Sequence, residues 1–140
     1  MTASTPLYEI ENLVCSYGAE PVLQIGELAI PAEGVTAFVG HNGSGKSTLL
    51  KAMAFLLKPV SGTIRFRGEN TENKEGGLRK ETPLLLQDPY LLKRSVFENI
   101  AYGLRARGDT VNLRGRVEEA LDMVGLPPEF GKREWYMLSG

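Results

Sequence analysis

A glycine-rich loop, placed between a short apolar run and a segment of helical periodicity, constrains the fold of this chain more than any other feature. The run at 35–39 reads Val-Thr-Ala-Phe-Val, which is typical of a buried strand covered on both faces. Apolar residues recur at helical spacing after the loop; they are Leu49, Leu50, Met53, Leu56 and Leu57. A strand, a glycine loop and a helix in this order predict an α/β fold.

The loop itself matches the pattern G-x-x-x-x-G-K-[ST]. Its residues are Gly40, His41, Asn42, Gly43, Ser44, Gly45, Lys46, Ser47 and Thr48. Glycines allow the backbone to curl with its N–H groups facing inward, and the helix that follows directs its positive dipole end at the same point. Lys46 is expected to reach the β- and γ-phosphates of ATP, and the Ser47 hydroxyl to bind Mg²⁺. His41 lies at a free position of the pattern, and we interpret it as a loop residue.

Strand signals dominate the first half of the chain. Residues 7–17 mix β-formers with polar residues, and 22–30 are expected to pair back onto them. A third strand is predicted at 63–67. The polar stretch 68–80 contains a Gly-Gly pair and is expected to be a mobile surface connection. Another short apolar run follows at 83–87.

The second half of the chain predicts helices. Ser95 and Glu98 form a capping box ahead of apolar residues that share one helical face. The stretch 113–124 carries the pattern of a second amphipathic helix, which Gly125 is expected to close. No break in composition marks a linker, so 140 residues are expected to form a single domain.

Composition excludes several classes of protein. The hydrophobic fraction of 42 % and the charged fraction of 24 % are ordinary for a globular chain. The net charge of -1 gives no sign of a protein that coats nucleic acid or an anionic membrane. No apolar run approaches the roughly 20 residues that span a bilayer, and no secretory leader is evident. Cys15 has no second cysteine to pair with, so we expect the reducing cytosol, with any membrane association made through a partner.

Several spaced elements resemble the ATP-binding subunit of ABC transporters, and the resemblance extends over roughly residues 7–140. The loop is the first of these elements. Tyr17 lies where that family places an aromatic residue that stacks on adenine. Gln87 stands where the family has a glutamine associated with Mg²⁺, the attacking water and the sensing of the membrane partner. An amide side chain suits this task because it accepts and donates hydrogen bonds without adding charge.

Two later segments extend the resemblance. Residues 95–104 are similar to the family's segment after that glutamine. Leu138, Ser139 and Gly140 resemble the opening of the signature motif Leu-Ser-Gly-Gly-Gln, which in the family clamps ATP bound to the opposite subunit. The fold that this implies is the N-terminal portion of an ABC-type nucleotide-binding domain. Residues of about 1–90 would form its β-rich subdomain and phosphate-loop core, and about 91–140 the start of its helical subdomain.

The resemblance also implies an activity and partners. Two ATP-binding subunits would sandwich two ATP molecules, hydrolyse them with Mg²⁺, and drive paired transmembrane permease subunits from the cytoplasmic face of the membrane. An extracytoplasmic substrate-binding protein is expected in the full system, and nucleic acid is not. The segment 86–99 is most similar to importers of inorganic oxyanions, of which tungstate is the suggested substrate.

The family's later elements are not among these 140 residues. They are the rest of the signature, an acidic strand that supports Mg²⁺, a general-base glutamate and a switch histidine. In the family's sheet order, the two strands between 35–39 and 84–86 come from that later part. We therefore expect a C-terminally truncated subunit that holds phosphate, hydrolyses ATP poorly or not at all by itself, and has reduced stability because strand pairing is lost.

Three alternatives stay open at this point. An ABC-type ATPase acting on DNA would insert a long coiled coil, but only about 50 residues separate Gln87 from Leu138, and no heptads appear among them. A kinase that phosphorylates small molecules would also contain this loop, but it would give no reason for Gln87, for the segment 95–104 or for the start of the signature motif at 138–140. The third alternative is an inactive, truncated nucleotide-binding relic without a transport role.

Overall fold

The computed structural model describes residues 5–88 and 90–138, which fall into two compact units that meet in sequence between Leu84 and Leu85. The elements of the first unit are β1 (Tyr8–Ser16), β2 (Pro21–Ile30), α1 (Lys46–Met53), β3 (Ser61–Phe66), β4 (Glu69–Asn70) and α2 (Glu75–Leu78). Those of the second unit are α3 (Val96–Ala106), α4 (Leu113–Met123) and two 3-10 turns, Pro128–Lys132 and Trp135–Met137. Within the described ranges, none of the helices combines the length and apolar character needed to cross a bilayer.

The first unit contains an antiparallel sheet in the order β2-β1-β3-β4. The predicted strands at 7–17 and 22–30 are confirmed, and they pair with each other as expected. The buried positions of β1 switch from even-numbered residues, Tyr8 and Ile10, to odd-numbered ones, Leu13 and Cys15. A register irregularity against β3 and a positive φ of 50° at Asn12 accompany this change. The bulge keeps the apolar residues of β1 on one face of the sheet.

The apolar face of the sheet packs against α1. Leu49, Ala52 and Met53 join the residues of β1 and β3 in one core, and the Tyr8 hydroxyl donates a hydrogen bond of 3.1 Å to the Met53 carbonyl oxygen. Burial raises the pKa of Tyr8. Helical spacing correctly predicted α1, but the helix ends at Met53, before the positive φ of 57° at Phe55.

The predicted buried strand at 35–39 is wrong. These residues form no strand pairing within the described part of the chain, and the side chains of Val35 and Val39 are 99 % and 95 % exposed. The apolar run at 83–87 is also unpaired there, with Leu85 86 % exposed. An apolar run becomes a buried strand only when neighbouring strands cover its edges. Neither run has such a neighbour among the described residues, as the family's sheet order led us to expect.

The stretch 68–80 is more ordered than its polar composition suggested. It holds β4, which pairs with β3, and the short helix α2, which includes Gly76 and Gly77. Thr71 is buried, and its hydroxyl donates a hydrogen bond of 2.6 Å to the Ile64 carbonyl oxygen. Most of this stretch is exposed, as a surface connection should be, but it also contains regular structure; its mobility stays a prediction.

The second unit is built around α3 and α4, close to their predicted positions. Its buried core is formed by Val96, Ala101, Val117 and Leu121. The Ser95 hydroxyl accepts a hydrogen bond of 3.2 Å from the Glu98 N–H, which confirms half of the capping box. The Glu98 carboxylate is instead bonded by the Arg105 guanidinium, which lowers the pKa of Glu98.

Ser95→Ala should destabilise the second unit, because it removes the acceptor for an N–H at the start of α3. The expected loss in free energy of unfolding is about 1 kcal/mol. Trp135 is the chain's one tryptophan and belongs to this unit, so its fluorescence during urea unfolding reports the effect. Ser95→Asn, which keeps a capping oxygen, is the matched control. Equal midpoints for the two variants would show that the cap contributes nothing.

Candidate nucleotide-binding site

The glycine loop adopts a curled backbone that a larger residue would disturb. Gly45, immediately before α1, has a φ of 86°, and a Cβ at this position would lie 2.8 Å from Leu23 Cδ1 on β2. A Cβ on Gly40 would lie 2.7 Å from Ser44 Oγ. A hydrogen bond of 3.2 Å from the Ser44 N–H to the His41 carbonyl oxygen closes the turn between them. A side chain at either position would require Ser44 or Leu23 to move, and at Gly45 it would also have to adopt a backbone conformation that favours glycine.

The side chain of Lys46 folds back over this loop. Its ammonium group donates hydrogen bonds of 2.8 Å to the carbonyl oxygens of both Gly40 and His41, and one of 3.2 Å to Ser44 Oγ. These three bonds use all three N–H donors of the ammonium group, so a phosphate that bonds Lys46 has to replace one or more of the loop acceptors.

The start of α1 adds backbone donors beside this charge. The N–H of Leu49 donates a hydrogen bond of 2.8 Å to the Gly45 carbonyl oxygen. The N–H groups before Leu49 in the first helical turn therefore have no carbonyl partner within the helix. The first turn contains no acidic residue. Ser47 is exposed while Thr48 is buried, so the Ser47 hydroxyl is the one open to a ligand. A cation, backbone N–H groups and one hydroxyl fit a phosphate with a hard cation such as Mg²⁺.

Two further predicted residues lie in the first unit. Tyr17 directly follows β1, and its side chain is 54 % exposed. The ammonium group of Lys51 lies 5.8 Å from the centre of the Tyr17 ring. Sequence reasoning missed Lys51, because its contact with Tyr17 joins two elements that are distant in sequence. His41 Nδ1 donates to the Asn42 carbonyl oxygen at 2.8 Å, as suits a loop residue.

The remaining predicted residues belong to the second unit. Gln87 is exposed. Leu138 packs against the core of that unit, while Ser139 and Gly140 lie outside the described residues. The Asn99 side chain bonds the N–H and the carbonyl oxygen of Leu92 at 2.7 and 3.0 Å. This amide fixes the chain just ahead of α3, within the segment that resembles the family.

A partly open cavity of about 500 Å³ also occurs in the first unit, and the residues of the glycine loop do not line it. Its walls come from the residues after α1, from β3 and from the region of α2, with Phe55, Thr71 and Arg79 among them. The Arg79 Nε–H donates to the Phe55 carbonyl oxygen at 2.7 Å. Residues 40–44 of the glycine loop, by contrast, are exposed at the surface.

Comparison with known proteins identifies the family. The family model described as ABC transporter matches residues 23–140. The tungstate uptake system ATP-binding protein TupC of Peptoclostridium acidaminophilum is 33 % identical over 132 residues, which are 94 % of this chain and 59 % of TupC. The ABC multidrug transporter atrC of Emericella nidulans is 44 % identical over 100 residues, or 69 % of this chain and 8 % of atrC.

A solved structure extends the comparison to the fold. The structure of cbiO1 from Clostridium perfringens, part of the ABC transporter complex cbiONQ, superposes with a TM-score of 0.76 at 28 % identity. The match covers 96 % of this chain and 56 % of cbiO1. The chain thus spans little more than half of TupC and cbiO1, and its fold is the N-terminal portion of a P-loop NTPase domain. This chain belongs to the ABC transporter family and forms part of its ATP-binding domain.

Proposed function

We propose that residues 40–48 bind the triphosphate of ATP together with Mg²⁺, as part of the ATP-binding subunit of an ABC transporter. The observation that carries this proposal is the Lys46 ammonium group, held 2.8 Å from two loop carbonyl oxygens at the start of α1. Domains of this family in general bind ATP with Mg²⁺ and hydrolyse it. Mg²⁺, when bound, neutralises charge on the phosphates.

Each predicted residue then has a role in that site. Lys46 donates to the phosphates, the backbone N–H groups of the loop surround them, and Ser47 supplies an oxygen to Mg²⁺. Tyr17 offers an exposed ring on which adenine stacks, a contact that aromatic side chains make readily with bases. Gln87 takes part in Mg²⁺ binding and in orienting the attacking water.

The domain organisation is proposed on the same basis. Residues of about 1–90 form the β-rich subdomain and the phosphate-loop core, and about 91–140 begin the helical subdomain. Leu138, Ser139 and Gly140 open the signature motif, which contacts ATP on a second ATP-binding subunit. The two subunits together enclose two ATP molecules.

In the whole protein, we propose that binding and hydrolysis of ATP drive transport. Hydrolysis proceeds by positioning and charge neutralisation rather than through a covalent intermediate. Subunits of this family work with transmembrane permease components, so we place the protein at the cytoplasmic face of the membrane, held there by its permease. A substrate-binding protein completes the system, and nucleic acid takes no part in it.

The substrate proposed is tungstate or a related oxyanion, delivered by import. The likeness to TupC supports this choice, because it extends over 94 % of the chain, whereas the likeness to the multidrug transporter atrC extends over 69 %. A strain that lacks the gene should take up less tungstate than its parent, and an intact copy of the gene should restore uptake. Unchanged uptake of tungstate, molybdate and phosphate would remove the oxyanion assignment.

The 140-residue chain should bind ATP without sustained hydrolysis. The general-base glutamate and the acidic strand that the family uses are not among these 140 residues, so we propose that these residues alone do not activate the attacking water. Steady-state release of phosphate should therefore equal that of a Lys46→Ala variant at saturating MgATP. Turnover clearly above that control, lost again in the variant, would show that the residues present are sufficient for catalysis.

A further inference from the structure

We infer that Lys51 is a positioning residue for the nucleobase, acting through the ring of Tyr17. The inference rests on the proposed binding of ATP and adds to it a residue that the phosphate-loop pattern does not contain. Its basis is the distance of 5.8 Å between the Lys51 ammonium group and the centre of the Tyr17 ring. This lies within the range of a cation–π contact.

The surroundings of the two side chains favour this pairing. Tyr17 follows the last residue of β1 and precedes Gly18, so the ring stands at the tip of the β1–β2 hairpin, where it is 54 % exposed. Lys51 lies in the last turn of α1 and is half-buried. Among the described residues, Lys51 forms no ion pair with a carboxylate. The contact that the structure shows for its ammonium group is the one with the Tyr17 ring.

A cation held against an aromatic ring restricts the ring's orientation and withdraws electron density from its faces. The exposed surface of Tyr17 then offers adenine a fixed and less electron-rich partner for stacking. Lys46 and Lys51 belong to one helix and lie about 7.5 Å apart along its axis. The helix α1 therefore fixes the distance between the lysine that contacts phosphate and the lysine that contacts the Tyr17 ring. Loss of the Lys51 charge should weaken base stacking and leave the phosphate contacts intact.

The test compares two ligands on the full 140-residue chain: MgATP, and magnesium tripolyphosphate, which has no base. Lys51→Met keeps length and helix propensity but removes the charge, and Lys51→Arg keeps a cation. Lys51→Met should raise the Kd for MgATP about two- to five-fold and leave the Kd for tripolyphosphate unchanged. Lys51→Arg should restore the affinity for MgATP. Amide hydrogen exchange of α1 checks that each variant is folded.

A double-mutant cycle with Tyr17→Ala completes the test. In the Tyr17→Ala background, Lys51→Met should no longer change the Kd for MgATP, because the ring through which it acts is gone. Equal weakening of both ligands by Lys51→Met would assign the lysine to phosphate attraction and overturn the inference, as would no change with either ligand or fully additive effects in the cycle. Failure of the unsubstituted chain to bind either ligand would instead overturn the proposed function, and this inference with it.

Discussion

Replacing Lys46 with methionine should weaken the binding of MgATP about 10- to 150-fold. A hydrogen bond to a charged group contributes about 1.5–3 kcal/mol, and methionine preserves the length and helix propensity of the side chain while removing the donor. The loop would also lose the bonds that connect the ammonium group to Gly40, His41 and Ser44. Isothermal titration calorimetry with MgATP measures the change directly.

The matched control for this prediction is Lys58→Met. Lys58 is exposed and lines the cavity away from the glycine loop, so its replacement removes the same charge from the chain at a distance from the site. Its effect on the Kd should be less than about two-fold, because exposed charges are screened by salt. Similar losses in the two variants would mean that net charge, and not the placement of Lys46, determines affinity.

Gly62→Ala should strongly destabilise the first unit, by about 3–5 kcal/mol. Gly62 is the second residue of β3 and has a φ of 88°, a conformation that alanine adopts at a cost. A Cβ at this position would also lie 2.3 Å from the Asn12 carbonyl oxygen and 2.5 Å from Leu13 Cα. Both atoms belong to the backbone of β1 and cannot rotate away. Protection of the amides of β1 and β3 from hydrogen exchange should fall about 100-fold or more.

Gly18→Ala separates the two causes of that loss. Gly18 has a nearly identical φ of 85°, but a Cβ there would meet no atom within 4 Å. This variant therefore carries the conformational cost alone, about 1–2 kcal/mol, without the clash. If Gly62→Ala lowers the free energy of unfolding no more than Gly18→Ala does, then the close approach of β3 to the bulge at Asn12 is not the reason for a glycine at position 62.

Local signals made much of this fold predictable. The pairing of β1 with β2, the start of α3 at Ser95 and the helix after the glycine loop all depend on residues near one another in sequence, and all were predicted. The bonds from Lys46 to the carbonyl oxygens of Gly40 and His41 were not predicted, although these residues are also near one another in sequence. The bulge at Asn12 was not predictable, since it depends on how β3 approaches β1.

The errors concern burial and distant contacts. The run at 35–39 has the composition of a covered strand, but composition cannot tell whether strands are present to cover it. The Glu98 carboxylate bonds Arg105 and not the N–H of Ser95. The sequence offers both donors and does not show which of them the carboxylate contacts. The approach of Lys51 to Tyr17 joins a helix to a hairpin tip, and no local pattern in the sequence encodes such a contact.

The most direct test of the central claim, that the curled loop and Lys46 bind the triphosphate of ATP, is a titration of the isotope-labelled chain with MgATP, followed by amide NMR. The largest shifts should occur at the N–H groups of residues 43 and 45–48, should saturate as for one site, and should be absent with MgCl₂ alone. In the Lys46→Met variant these shifts should require much more nucleotide. Loop amides that stay unmoved, or that respond equally with and without Lys46, would contradict the claim.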